Sequence, residues 1–177
     1  MDELALNILD IAYNSIRAHA SQIQIHVLDS MKENRIVITI IDNGDGMDSK
    51  QVNNVANPFY TTRTTRNVGL GIPLLKQNAE LTGGYLNIQS QLSIGTTIET
   101  CFIKDNIDTP MMGDLIETMA TLIQADANID YEFKYETDNI NFSMDTKEMK
   151  EILGDVDINT PEVILWLKDY MKEGMNK

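Results

Sequence analysis

Asp42-Asn43-Gly44-Asp45-Gly46-Met47 follows directly on Arg35–Ile41, a segment whose apolar residues Ile36, Ile38 and Ile40 fall at every second position. That alternation predicts a half-buried strand. A strand ending in Asp-x-Gly-x-Gly sets a carboxylate at its mouth, followed by two residues with no Cβ. Glycines there let the backbone turn sharply and approach a flat ligand closely. A carboxylate so placed can accept from an amine, which makes Asp42 a candidate reader of an adenine edge. Asp-Gly turns are common, so the stretch does not decide the matter alone. Three further segments, in chain order, carry the same theme.

Upstream, residues 3–19 read as a helix that is apolar over most of its surface. Its polar residues Asn7, Asp10, Asn14 and Arg17 follow i, i+3, i+7, i+10 and form one narrow stripe. Asn14 offers a carbonyl oxygen suited to Mg2+, a hard ion that keeps several waters. Asp10, one turn earlier, can orient or deprotonate a water beside such an ion. An ordinary solvent-facing stripe has the same pattern. Between this helix and the Asp42 strand, Gln22–Val27 alternates through Ile23, Ile25 and Val27, and Lys32–Asn34 reads as the connecting turn.

Downstream, Asp48 or Ser49 can cap a short helix running to Ala56. Asn57-Pro58-Phe59-Tyr60-Thr61-Thr62-Arg63, followed by Thr64-Thr65-Arg66, combines hydroxyls and cations able to surround phosphates. Val68-Gly69-Leu70-Gly71 then opens a helix from about Ile72 to Gly83-Gly84, and free N–H groups at a helix start favour an anion. Gly95-Thr96-Thr97 begins the second of two strands, Tyr85–Ser90 and Thr96–Ile103, and a threonine hydroxyl there can bond a ligand ring or bridge to it through water. Each segment alone reads equally well as a surface loop or a turn.

Together they resemble the four nucleotide boxes of the histidine-kinase-like ATPase family, which includes DNA gyrase, a heat-shock chaperone, histidine kinases and the mismatch-repair protein MutL. Asn14-Ser15-Ile16-Arg17-Ala18-His19-Ala20 looks most like the first box of the MutL-type members, whereas Pro58–Arg63 and Gly69–Gly95 look more like the histidine kinases. The resemblance covers residues 1–104. It implies an α+β fold, a two-layer α/β sandwich with a mixed, mostly antiparallel sheet and helices on one face, with ATP and Mg2+ bound between the layers. By the same resemblance Asn14 holds Mg2+ and Arg17 lies beside the nucleotide. Asp42 reads the adenine amine, and Gly44, Gly46 and Met47 shape the base pocket. Phe59, Thr62 and Arg63 belong to the lid, and Val68, Gly69, Leu70 and Gly71 support the phosphates. Thr97, or Thr96, completes the adenine contact. Asp10 is the catalytic carboxylate.

The chain departs from the family in ways that bear on chemistry. Position 10 holds Asp where hydrolysing members have Glu and histidine kinases have Asn, and a carboxylate one methylene shorter sets a water further back. Position 67 is Asn where many kinases have Gly, and the lid between Phe59 and Gly69 is short. The two histidines, His19 at the end of the first helix and His26 on a strand, are not on a separate helical hairpin. No internal phosphoacceptor is expected, so the chain would either hydrolyse ATP slowly or pass the γ-phosphate to a Ser, Thr or His of a partner, as the anti-sigma-factor serine kinases do. A module that binds ATP without turning it over is the alternative.

Composition frames these readings. The chain of 177 residues is 42% hydrophobic and carries no apolar run of membrane-spanning length. Its acidic start, Met1-Asp2-Glu3, leads into a helical pattern rather than a secretory signal. With Cys101 as the one cysteine, on an alternating strand, no internal disulfide forms and a cytoplasmic location is expected. The net charge of −13 is uneven, with 8 Lys/Arg and 10 Asp/Glu in residues 1–104 but 6 and 17 in residues 105–177. Nucleic acid is excluded as a partner of that acidic half, because phosphate is repelled.

Asn106–Pro110 reads as a boundary, beyond which an acidic α/β extension is expected: a helix over 111–124, strands near 130–136 and 140–144, and helices at 146–153 and 161–173. Its strands can continue the main sheet, dock as a separate subdomain, or form a homodimer. A protein partner is expected to bind through residues 105–177.

Overall fold

The alternating segments become the strands of one sheet. A computed structural model describes residues 3–57 and 71–176. The first hairpin pairs β1 (Gln22–Ser30) with β2 (Arg35–Asp42), and the second pairs β3 (Tyr85–Gln91) with β4 (Gly95–Ile103). Two more strands, β5 (Asp130–Thr137) and β6 (Asn141–Asp145), come from the acidic half. Among the described residues the order is β3-β4-β2-β1-β5-β6, and every neighbouring pair is antiparallel except β1 with β5. The sheet is therefore mixed and mostly antiparallel. The connection from β4 to β5 runs through a helix, as a parallel neighbour reached from the far side of the sheet requires.

Side chains alternate across the pleat. Ile23, Ile25 and Val27 of β1, Ile36, Ile38 and Ile40 of β2, and Tyr131 and Phe133 of β5 all point to the buried face. Against that face pack α1 (Leu4–Arg17), α3 (Gly71–Leu81), α4 (Leu115–Ala125) and α6 (Pro161–Met175) through Leu4, Ile8, Leu75, Leu122, Ile123 and Leu167. The short α2 (Ser49–Val55) is closed by a capping box in which Asp48 and Gln51 satisfy each other's backbone N–H groups, and α5 (Thr146–Leu153) is capped by Asp145. Among the described residues no helix is long and apolar enough to cross a membrane.

The sequence boundary at Asn106–Pro110 is not a break in the sheet. β5 takes its place beside β1 in register from Gln22 opposite Asp130 to Asp29 opposite Thr137. The acidic half thereby continues the main sheet, the first of the placements expected for it. The helix expected at 111–124 starts instead at Leu115, because residues 110–114 are needed elsewhere. The carbonyls of Met111 and Met112 accept from the N–H groups of Leu4 and Ala5 at 2.9 and 2.8 Å, satisfying free donors at the start of α1. Gly113 then turns at φ +77°, and Asp114 caps α4 by accepting from Glu117 N at 2.9 Å. His26 is half-buried, because β5 lies alongside and sets Glu132 3.6 Å from its Nε2.

Phe133 is fully buried in the strand that joins the two halves, edge-on to Phe142 with centroids 6.3 Å apart. Phe133→Ala is expected to lower stability by about 3–5 kcal/mol. Urea unfolding followed by far-ultraviolet dichroism and by tryptophan fluorescence should give one coincident transition in both proteins. Two separated transitions in the wild type would show that the halves fold independently.

Candidate functional site

The loop after β2 is pinned from three sides. Asn43 Oδ1 accepts from the N–H groups of Ser21 and Gln22, each at 2.9 Å, tying the loop to the start of β1. Asp45 N donates to the Ala18 carbonyl at 2.7 Å, and its own carbonyl accepts from Ser93 N in the β3–β4 hairpin at 2.7 Å. These approaches explain the glycines. A Cβ on Gly44 would press against the Ala18 carbonyl, and one on Gly46, at φ +68°, would overlap the carbonyl of Gln91. Gly95, at φ +135°, leaves no room for a Cβ against the carbonyl of Asp42.

Asp42 stands half-buried at the centre of this arrangement. Its Oδ1 accepts from Gly44 N at 2.9 Å, and its Oδ2 accepts from the Ser15 hydroxyl at 2.6 Å. One donor on each oxygen fixes the plane of the carboxylate and leaves further lone pairs free to accept from a ligand amine. Ser15 is 3% exposed, on the face of α1 otherwise formed by Leu4, Ile8, Ile11 and Ala12. Sequence reasoning had passed it over. Its signal was a hydroxyl in line with that apolar series, where a buried polar group needs a partner.

Across the ladder from Asp42 lies Thr96, not Thr97. The pleat sets the two threonines apart: Thr97 pairs with Ile41 and Gln89 and falls on the opposite face of the sheet. Thr96 is joined by Ser90, another residue the sequence did not single out. The Ser90 hydroxyl donates to the Gly95 carbonyl at 2.9 Å and accepts from Met47 N at 2.8 Å. Its one proton is thereby committed, so in the 2.8 Å contact between Ser90 and Thr96 the Thr96 hydroxyl is the donor. Thr96 is left presenting lone pairs beside a carboxylate. Both groups accept, which suits an exocyclic amine and opposes a carbonyl oxygen in its place.

The polar stripe of α1 leads away from this pocket. Asp10, Asn14 and Arg17 are all exposed, and Arg17 Nη1 lies 3.4 Å from Asn14 Oδ1. Asp10 lies beside the start of α3, where a Cβ placed on Gly71 would be 4.0 Å from Asp10 Oδ2. The structure thus brings Asp42, Gly44, Gly46, Met47 and Thr96 together at one end of the sheet and sets Asp10 beside Gly71, while Asn14 and Arg17 meet each other on the exposed side of α1. Phe59, Thr62, Arg63, Val68, Gly69 and Leu70 lie outside the described residues. Cys101 is buried on β4, and burial raises its thiol pKa, in keeping with a packing role rather than a reactive one.

Residues 1–106 match the family model described as histidine kinase-, DNA gyrase B-, and HSP90-like ATPase. The chain belongs to this family. Residues 1–106 are its ATP-binding domain of histidine-kinase type. The sensor histidine kinase YvrG of Bacillus subtilis is 30% identical over 95 residues, which are 51% of this chain and 16% of that protein. The sensor histidine kinase ZraS of Escherichia coli is 28% identical over 106 residues, 60% of this chain and 22% of that protein. The chain therefore spans a small part of each kinase. A crystal structure of the N-terminal domain of a DNA repair protein matches with a TM-score of 0.55 over 82% of this chain and 52% of that one. At 16% identity this last likeness concerns the fold alone.

Ser15→Ala removes a charge-assisted hydrogen bond from Asp42 and leaves the carboxylate free to rotate. ATP affinity, measured by calorimetric titration, is expected to fall about ten-fold, in line with roughly 1.5 kcal/mol for such a bond. Unchanged affinity would assign Ser15 to packing only.

Proposed function

We propose that this domain binds Mg-ATP and directs its γ-phosphate slowly to water or to a residue of a partner protein. The observation that carries the reading is the Asp42 carboxylate, held by Ser15 and Gly44 with acceptor capacity to spare and with Thr96 across the ladder. Adenine supplies the amine that this pair of acceptors requires. Gly44 and Gly46 let the loop that carries Asp42 pack tightly against the Ala18 and Gln91 carbonyls, and Gly71 opens α3 where backbone N–H groups favour the phosphates.

A fit for Mg2+ is given by the chemistry of α1. The exposed Asn14 carboxamide offers a hard oxygen. Asp10 beside the start of α3 would stand against a bound triphosphate, and two anions in one place call for a cation between them. When bound, Mg2+ neutralises phosphate charge and fixes the chain of phosphates. Asp10 accepts the proton of an attacking water or of a partner's hydroxyl, while the bond to the bridging oxygen breaks and ADP leaves with the electron pair. The same carboxylate is short for the task, which favours slow turnover. A second reading, in which occupancy by ATP biases partner binding without turnover, draws on that feature too. The partner is assigned to residues 105–177 and the setting to a cytoplasm.

Two substitutions separate these readings. Asp42→Asn replaces an ionised acceptor with an amide and is expected to weaken Mg-ATP binding about ten- to a hundred-fold. Undiminished binding by that variant would remove the adenine assignment. Asp10→Asn is expected to spare ATP affinity and abolish phosphate release in a steady-state assay. Full turnover in Asp10→Asn would assign the base elsewhere, and absence of turnover in the wild type, alone or with a partner, would favour the non-catalytic reading.

A further inference from the structure

Helix α6 buries Val163, Ile164, Leu167 and Met171 and leaves a second apolar strip in the open. Leu165, Trp166 and Tyr170 are 63%, 53% and 38% exposed. Trp166 and Tyr170, four residues apart, stack with ring centroids at 5.5 Å and planes 15° apart. Tyr170 leans in turn on Phe142 of β6 at 5.5 Å, so the stack is anchored to the edge strand of the sheet. An indole and a phenol held rigid on a surface lose little entropy when covered, and such residues dominate binding energy where they occur.

The charges around the stack choose what covers it. Glu162 precedes Trp166 by four residues and Glu173 follows Tyr170 by three, so carboxylates close both ends of the strip, and Asp169 lies alongside. None of these three carboxylates is in an ion pair among the described residues. Lys168 is occupied by Glu117 of α4 at 2.7 Å. Lys172 falls about a third of a turn from Trp166, on the side of the helix that carries Leu165 seven residues earlier. A second copy of this face would set carboxylate against carboxylate, and a nucleic acid would be repelled by a half-chain with 17 acidic and 6 basic residues.

We propose that the Trp166–Tyr170 face of α6 is the docking surface for an arginine-bearing, amphipathic segment of a partner protein. A guanidinium stacks on the open indole face and meets Glu162 or Glu173 at its edge, while the segment's apolar side covers Leu165. The inference deepens the assignment of the partner to residues 105–177 and rests on that reading, but it does not depend on ATP turnover.

Trp166 is the one tryptophan of the chain, so its emission reports this surface directly. The full chain would be titrated with a short peptide alternating arginine and leucine, and in parallel with one alternating glutamate and leucine. Saturable quenching or a spectral shift is expected with the first peptide only. By calorimetry, Trp166→Ala and the double change Glu162→Gln with Glu173→Gln should each weaken binding of the arginine peptide about ten-fold. ATP affinity, measured on the same samples, should be unchanged in every variant, which keeps failure of this inference distinct from failure of the nucleotide reading. Three results overturn the proposal: no response to the arginine peptide, equal affinity in the variants, or equal response to the glutamate peptide. So does concentration-dependent self-association that Trp166→Ala abolishes, which would make the face a contact between two copies.

Discussion

A single carboxylate, received at both oxygens, organises the nucleotide end of this molecule. Asp42 closes β2, and its two inherited partners come from different places: the Gly44 amide from the loop it begins, and the Ser15 hydroxyl from a helix 27 residues earlier. A half-buried anion without donors is expensive to keep ionised. Satisfying Asp42 therefore fixes α1 relative to the sheet end as well as the orientation of the carboxylate proposed to read the base. The close passage of Gly95 against the Asp42 carbonyl and the hydroxyl relay through Ser90 extend the same constraint to the second hairpin.

Helix α1 connects this end of the molecule with the acidic half. Its first donors are taken by Met111 and Met112, the Ala5 carbonyl accepts from Thr118 of α4 at 3.2 Å, and its far end carries Ser15 and the Ala18 carbonyl. One helix thus touches residues 111–118 at its start and the Asp42–Asp45 loop at its end. Occupancy at either end can bias the other to the extent that a ligand distinguishes two positions of α1. The unequal charge of the two halves then has a spatial meaning. The nearly balanced half holds the nucleotide boxes and the acidic half lies across β1 from them, presenting its exposed aromatic pair at the opposite edge of the sheet.

Much of this was legible from local pattern. Period-two alternation through Ile23, Ile25 and Val27 and through Ile36, Ile38 and Ile40 located β1 and β2, and Gly71 and Pro161 marked helix starts within a residue of where they lie. Local spacing did not reveal Ser15 or Ser90. A buried hydroxyl looks the same in sequence whether it bonds its own helix or a carboxylate 27 positions away. The start of α4 was misplaced for a related reason: Met111 and Met112 have helical propensity, but their carbonyls serve another helix.

By itself the sequence determined the identity and order of the elements, the family and the carboxylate at the mouth of β2, because these depend on spacing along the chain. Tertiary structure alone decided that Thr96 rather than Thr97 stands beside Asp42. A shift of one residue reverses the face, and the register of β2 with β4 spans some sixty positions. It likewise decided that β5 lies parallel to β1 and makes one sheet of two halves that differ in composition. Strand partners are chosen by the apolar faces that helices must bury together, and that choice is made in space, where Phe133 meets Ile25 across a ladder no local pattern records.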